Sequence, residues 1–198
     1  MKKRTLIFDV DDVIVPDRWF PWMNEYLAKL GKPTYESKNC FKVFNYLTEV
    51  FKTKEELEPF LDFFYSYDTY KGLKPIEGAV DGLRKLGETD RIRLATSCTP
   101  YRAGPDDRRF LREYADKNNW IMDNLSPFYD YKETIAISGK DSIHGFSMTD
   151  DKLSNLSGNF ERKIMFPAWH NRDVTQEELQ AAGAVKANNW DDILEMLK

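Results

Sequence analysis

The 198-residue sequence holds only two cysteines, two histidines and no apolar run that approaches the length of a bilayer span. Cys40 and Cys98 belong to no metal-ligand spacing and form no disulfide framework. They read as reduced, partly buried thiols of a cytoplasmic protein. A membrane-crossing helix needs roughly 20 apolar residues, so no membrane partner is expected. Met1-Lys2-Lys3-Arg4 carries the charge of a signal peptide, but only Leu6-Ile7-Phe8 follows before Asp9 interrupts, so secretion is not expected. Basic excess is missing too: 29 Lys and Arg stand against 33 Asp and Glu, for a net charge of -4. That balance argues against a nucleic-acid polymer as partner. An acidic chain acting on anions must concentrate positive charge locally, through a metal or a few Lys and Arg. Internal repeats and low-complexity tracts are absent as well.

What is present is ordinary for a globular protein: 41% hydrophobic and 31% charged residues. Such a length supports one good core with a modest insertion. Arg4 to Val10 is a short, β-branched apolar run ending in acids, and reads as a buried strand. From Pro16 to about Tyr70 the pattern turns to aromatic-rich helices, Trp22 to Leu30 and Lys54 to Tyr65 among them. This gives an expected division into a core of residues 1–15 and 75–198 and an inserted helical cap of residues 16–74. Pro75 opens an amphipathic helix with Ile76, Ala79, Val80, Leu83 and Leu86 on one face. Strands are expected at Arg91 to Ala95, Thr134 to Ser138, Phe146 to Thr149 and Lys163 to Phe166, and a helix at Asp106 to Asn119. Thr175 and Glu178 form a capping box for a helix stopped by Gly183, and Trp190 to Leu197 is a last helix. Alternating strands and helices predict an α/β three-layer sandwich with a parallel, Rossmann-like sheet.

In such sheets ligands sit at the C-terminal ends of the strands. There the first strand delivers Asp9 and Asp11, the second Thr96, and a later one Asp150 and Asp151. Two carboxylates as close as Asp9 and Asp11 repel each other and any phosphate dianion, so a bound cation is called for. Magnesium suits hard carboxylate oxygens and keeps room for water and a substrate phosphate, with Asp150 as a further ligand. A carboxylate attacking phosphorus forms an aspartyl-phosphate and splits hydrolysis into two easier displacements. A second acid two residues on can protonate the leaving alkoxide and then activate water. Asp-x-Asp alone is weak evidence, since paired acids often form a solvated turn; the ordered set with Thr96, Lys140 and Asp150-Asp151 is what carries the reading.

Asp9-Val10-Asp11 after an apolar strand resembles the first motif of the haloacid dehalogenase-type phosphatases. Thr96 after Arg93-Leu94-Ala95 is similar to the second, and Lys140 with Asp150-Asp151 ten positions later to the third and fourth. A narrower resemblance is to the 5'(3')-deoxyribonucleotidases. It rests on Leu73 to Val80, on Lys140 to Gly145 leading to Asp150-Asp151, on His170-Asn171-Arg172 and on Asn189 to Leu194.

This resemblance implies a small helical cap after the first strand of a haloacid dehalogenase-like core. Asp9 would be nucleophile and, with Asp150 and the backbone carbonyl of Asp11, a magnesium ligand. Asp11 would be the general acid/base. Thr96 and Ser97 would hydrogen-bond the phosphoryl oxygens, and Lys140 would neutralise transition-state charge. Asp151 would orient Lys140 or a metal-bound water. Arg109 stands roughly where the family has a second phosphate-binding cation, with Arg108 as rival. A homodimer is also implied. One departure is Asp12, where the family has Gly; an acid there is expected to turn away from the site, or else to reach a cation and alter metal binding or substrate range, and its backbone is in question because Gly adopts angles Asp takes less readily.

The predicted reaction is hydrolysis of a (deoxy)nucleoside monophosphate to nucleoside and phosphate, with a small-molecule nucleotide as partner. The alternatives are another phosphate monoester, such as a sugar phosphate or a polynucleotide 3' end, and a non-catalytic nucleotide-binding or regulatory protein. Trp19, Phe20, Phe44 and Phe64 are candidates to stack a base, or else fill the cap's own core; Trp19 and Phe20 lie closest in sequence to the nucleophile loop. His144 and His170 lack metal-ligand spacing and read as structural, His170 as ordering a loop near the site.

Overall fold

The computed structural model describes residues 3–97, 108–126, 128–137 and 139–198. Two compact units partition the chain. The first contains residues up to Pro16, Leu73–Cys98 and Ile121–Lys198; the second contains Asp17–Gly72 and the described part of Thr99–Trp120.

The first unit is built on a six-stranded, all-parallel sheet in the order β3-β2-β1-β4-β5-β6. The strands are β1 (Thr5–Phe8), β2 (Arg91–Thr96), β3 (Thr134–Ala136), β4 (His144–Asp150), β5 (Asn159–Met165) and β6 (Val185–Lys186). β1 is central, paired with β2 and β4, and Leu6, Ile7 and Phe8 are fully buried. That double-sided burial explains the unbroken apolar run, which in a one-sided sheet would alternate. Helices α4 (Ala79–Thr89), α6 (Gln176–Ala182) and α7 (Trp190–Met196) belong to this unit. The Thr175–Glu178 capping box forms at α6, and Gly183 ends it in the left-handed region at φ 64°.

Helix α4 begins later than expected, at Ala79 and not at Pro75. Its N-cap, Gly78, has φ 80°, and the Ile76 N–H donates to Ile14 O (2.8 Å) instead of to a helical turn. The segment before α4 is thus tied to the loop after β1. Three apolar rings and chains close the same region: Phe8 stacks on Trp190 at 5.4 Å, and Phe166 lies 6.3 Å from it.

The second unit holds α1 (Trp19–Lys29), α2 (Leu47–Val50), α3 (Lys54–Tyr65) and most of α5 (Phe110–Leu125), the partition falling inside α5 after Trp120. The expected helix over 106–119 is α5; residues 106 and 107 lie outside the described residues. Aromatics fill this unit's core, with Phe60, Phe64 and Tyr70 each essentially buried. Cys40 is exposed and not partly buried, because its 3₁₀ turn (Lys38–Cys40) contributes no buried residue; Cys98 lies outside the described residues. No helix among the described residues is long and apolar enough to cross a membrane.

Candidate active site

Strand β1 ends at Phe8, and the Asp9 N–H still donates to Thr149 O of β4 (2.9 Å). The chain then folds into a tight loop. Ile14 N and Val15 N both donate to Val10 O (2.9 and 3.0 Å), and Asp12 N donates to Val15 O (2.8 Å). Val10, Val13, Ile14 and Val15 are fully buried, so the loop is anchored by its apolar members and leaves its acids to the site. From α7, Trp190 Nε1–H donates to Val13 O (3.0 Å), a second anchor from the far end of the chain.

Asp9 is 8% exposed, and its Oδ1 accepts from the Val10 N–H (2.7 Å) and from Lys140 Nζ (2.8 Å). Lys140, 4% exposed, also donates to Asp150 Oδ2 (2.6 Å). Asp150 is fully buried at the end of β4; its Oδ1 accepts from Lys152 N (2.8 Å), and Asn155 Nδ2 spans both oxygens at 3.0 and 3.1 Å. Asp151 is 4% exposed, with Oδ2 2.7 Å from His170 Nε2 and its backbone carbonyl accepting from Asn171 Nδ2 (2.7 Å). From β2, buried Thr96 donates to Asp11 Oδ2 in a long contact of 3.5 Å, and Ser97 is exposed just beyond it.

The electrostatics follow from this crowding. Burial pushes the Asp9 carboxyl up to about 7; the Lys140 ammonium opposes that rise, and the charges of Asp150 and Asp11 add to it. Burial, then the charges of Asp150, Asp9 and Asp12, push Asp151 well above the usual carboxylate range. Burial alone would lower Lys140, but Asp9 and Asp150 outweigh it and hold its pKa above the ordinary value.

One oxygen each from Asp9, Asp150 and Asp151 lie within 4.8 Å of one another. An all-oxygen donor set of this kind suits a hard divalent ion such as magnesium. The residues present fit that group.

Asp12 departs from expectation. Its φ is 56°, the left-handed conformation that glycine takes freely, and its carboxylate lies within 4.8 Å of donor atoms of Asp151 and His170. It lies beside Asp151 and the His170 imidazole and is not turned away.

The remaining predicted residues lie in the second unit. Trp19, half-buried, stacks on Phe64 at 3.8 Å and 8°, and Phe64 is only 1% exposed. Phe20 meets Phe41 and Tyr46 edge-on, at 6.4 and 6.2 Å, and Phe44 is 46% exposed. Arg109 is engaged by Glu58 (2.9 Å) and Asp62 (2.5 Å) of α3, and Arg108 is exposed. Sequence reasoning missed Asn155, and it singled out Asn171 only as part of His170-Asn171-Arg172, with no role. Both amides matter because a turn returns them to Asp150 and Asp151.

A parallel sheet with Asp9, Asp11, Thr96, Lys140 and the Asp150-Asp151 pair at one edge defines a haloacid dehalogenase-type hydrolase. Solved structures agree on the fold. A haloacid dehalogenase-like family hydrolase from Streptococcus pneumoniae superposes with a TM-score of 0.62 at 12% identity, over 99% of both chains. A hydrolase of the same type from Bacillus subtilis, described as bound to magnesium, gives a TM-score of 0.55 at 14% identity over 100% of this chain and 99% of its own.

The chain belongs to the family described as 5' nucleotidase, deoxy (pyrimidine), cytosolic type C, whose profile matches residues 3–198. The curated relatives include the 5'(3')-deoxyribonucleotidases of Bacillus subtilis (strain 168) and Bacillus phage SPbeta. Each is 24% identical over 195 residues, covering 96% of either chain. The protein is accordingly a phosphoric monoester hydrolase of the nucleotidase type.

Proposed function

We infer that this chain hydrolyses deoxyribonucleoside monophosphates in a magnesium-dependent reaction through an aspartyl-phosphate on Asp9. The observation that carries the reading is Lys140 Nζ, bridging Asp9 Oδ1 (2.8 Å) and Asp150 Oδ2 (2.6 Å) in a buried site. A lysine held between a nucleophile and a cation-binding carboxylate supplies fixed positive charge where the phosphoryl group gains negative charge.

Asp9, Asp150 and the backbone carbonyl of Asp11 would hold the magnesium ion. When bound, it would offset the carboxylate repulsion and screen the substrate dianion. Asp9 attacks phosphorus, the ester P–O bond breaks, and the leaving alkoxide takes a proton from the Asp11 carboxyl. Water then attacks phosphorus, its proton returns to Asp11, and the acyl-phosphate P–O bond breaks to free phosphate and Asp9. Thr96 Oγ1, 3.5 Å from Asp11 Oδ2, orients that carboxyl, and Thr96 and Ser97 bind phosphoryl oxygens. A phosphate role for Arg109 would have to compete with Glu58 and Asp62, which already hold its guanidinium.

The test is phosphate release from a panel of 5'- and 3'-deoxyribonucleotides, ribonucleotides and sugar phosphates. Turnover on deoxyribonucleotides with magnesium, none with a chelator, and none in Asp9→Asn are expected. Undiminished turnover in Asp9→Asn would end the covalent mechanism, and a preference for sugar phosphates would end the nucleotide assignment.

A further inference from the structure

Asp151 is gripped twice by two adjacent residues of the 3₁₀ turn Trp169–Asn171. His170 Nε2 meets its carboxylate at Oδ2 (2.7 Å), and Asn171 Nδ2 donates to its backbone carbonyl (2.7 Å). The turn itself is rigidly tied. Asn171 Nδ2 also donates to Phe166 O (2.7 Å), Asn171 Oδ1 accepts from Ala168 N (3.0 Å), and Lys186 Nζ donates to Asn171 O (3.0 Å). The His170 side chain is 8% exposed and meets the ring of Trp169 edge-on at 5.8 Å. An imidazole so held has one orientation to offer.

Asp151 is also the residue common to two groups of donor atoms, one with Asp9 and Asp150, the other with Asp12 and His170. Pulled by neither, its carboxylate would be pushed by Asp9, Asp12 and Asp150 alike. The His170 ring nitrogen, 2.7 Å from Oδ2, ties the carboxyl on the Asp12 side and fixes the rotamer that keeps an oxygen beside Asp9 and Asp150.

We propose that His170 is a positioning residue of the cation site: it sets the Asp151 carboxylate, while Asn171 sets the backbone from which that carboxylate hangs. The inference rests on the magnesium-dependent reading above. Asp151 brings one oxygen to the same donor group as Asp9 and Asp150, and a partner that orients a carboxylate at a metal site typically carries about 10- to 100-fold in metal affinity.

The experiment titrates Mg2+ into the full chain by calorimetry, for the parent, His170→Ala and His170→Gln, alongside metal-free thermal melts. Gln returns a hydrogen-bonding amide near the Nε2 position; Ala does not. Mg2+ affinity is expected to fall by about 10- to 100-fold in His170→Ala and to recover most of the way in His170→Gln, with both metal-free melts near the parent's. In turnover, the Mg2+ needed for half-maximal rate rises in His170→Ala while KM at saturating Mg2+ holds. Parent-like Mg2+ affinity in His170→Ala overturns the proposal. So does equal loss in both variants with lowered melting points, since that is a collapsed turn and not a lost donor. A parent that fails to bind Mg2+ overturns it as well. A parent that binds Mg2+ but releases phosphate from no nucleotide ends the nucleotidase mechanism and leaves the His170 effect standing on the calorimetry.

Discussion

Asp9 and Asp150 share one buried ammonium, that of Lys140. Asp9 titrates at about 7 against an ordinary 3.8, chiefly through burial. A carboxyl raised in the fold costs nothing below its unfolded pKa and costs most above its folded one. The metal-free protein therefore loses stability as pH climbs from about 4 to about 7. Asp9→Asn removes that loss: in chelator, its melting point should exceed the parent's at pH 8 and match it at pH 4. Each kcal/mol relieved raises the midpoint by about 2–4 °C in a chain of this size. Lys140→Met leaves the two carboxylates facing each other without their ammonium. Steady-state phosphate release should show kcat down by about 10²–10³, and Lys140→Arg should not restore it, because a planar fork does not occupy a point charge's place between two oxygens. The candidate acids were legible because Asp9 and Asp11, Thr96, Lys140 and Asp150-Asp151 follow in order at strand ends, where Asp-x-Asp alone would not have sufficed. Asn155, which caps Asp150 across both oxygens, was not legible, since an amide declares its purpose only once a turn has brought it back.

Helices α4 and α7 meet glycine to tryptophan. A Cβ on Gly82 would stand 2.6 Å from Trp190 Cε3, and one on Gly78 2.9 Å from Trp190 Cβ. Ala in a helix interior ordinarily improves on Gly by about 1 kcal/mol, yet Gly82→Ala should destabilise by about 1–3 kcal/mol through overpacking. Urea denaturation that shows a gain would refute the contact. Element types were readable from local sequence pattern for β1, β2, α3 and α7. The start of α4 was not. Proline at position 75 is a sound helix opener by itself, but the Ile76 N–H is spent on Ile14 O, a partner far away in sequence.

At the scale of the whole chain, the second unit joins two stretches that lie far apart in sequence. Reading along the chain gives no sign of this, because the ties are ion pairs between distant residues: Arg109 with Glu58 and Asp62, and Arg18 with Glu113. The Arg18–Glu113 pair is buried, at 3% and 7% exposure, and the guanidinium lies 4.3 Å over the Tyr70 ring. Glu113→Gln strands that cation in an aromatic pocket and should cost about 3–5 kcal/mol. Replacing both partners with apolar residues, Arg18→Met with Glu113→Leu, should return stability to near the parent's. A double-mutant cycle in urea measures the coupling directly. Additive losses would mean the pair does not interact.

The bond from Trp190 to Val13 spans 177 positions of sequence. During synthesis at about 5–20 residues per second, the loop that presents Asp9 and Asp11 exists for roughly 9 to 35 s before the indole that clamps it has been made. The proposed nucleophile is thus translated well before the residue that locks its loop. A ribosome-stalled chain ending before Trp190 should carry every acid of the site and still lack a finished one.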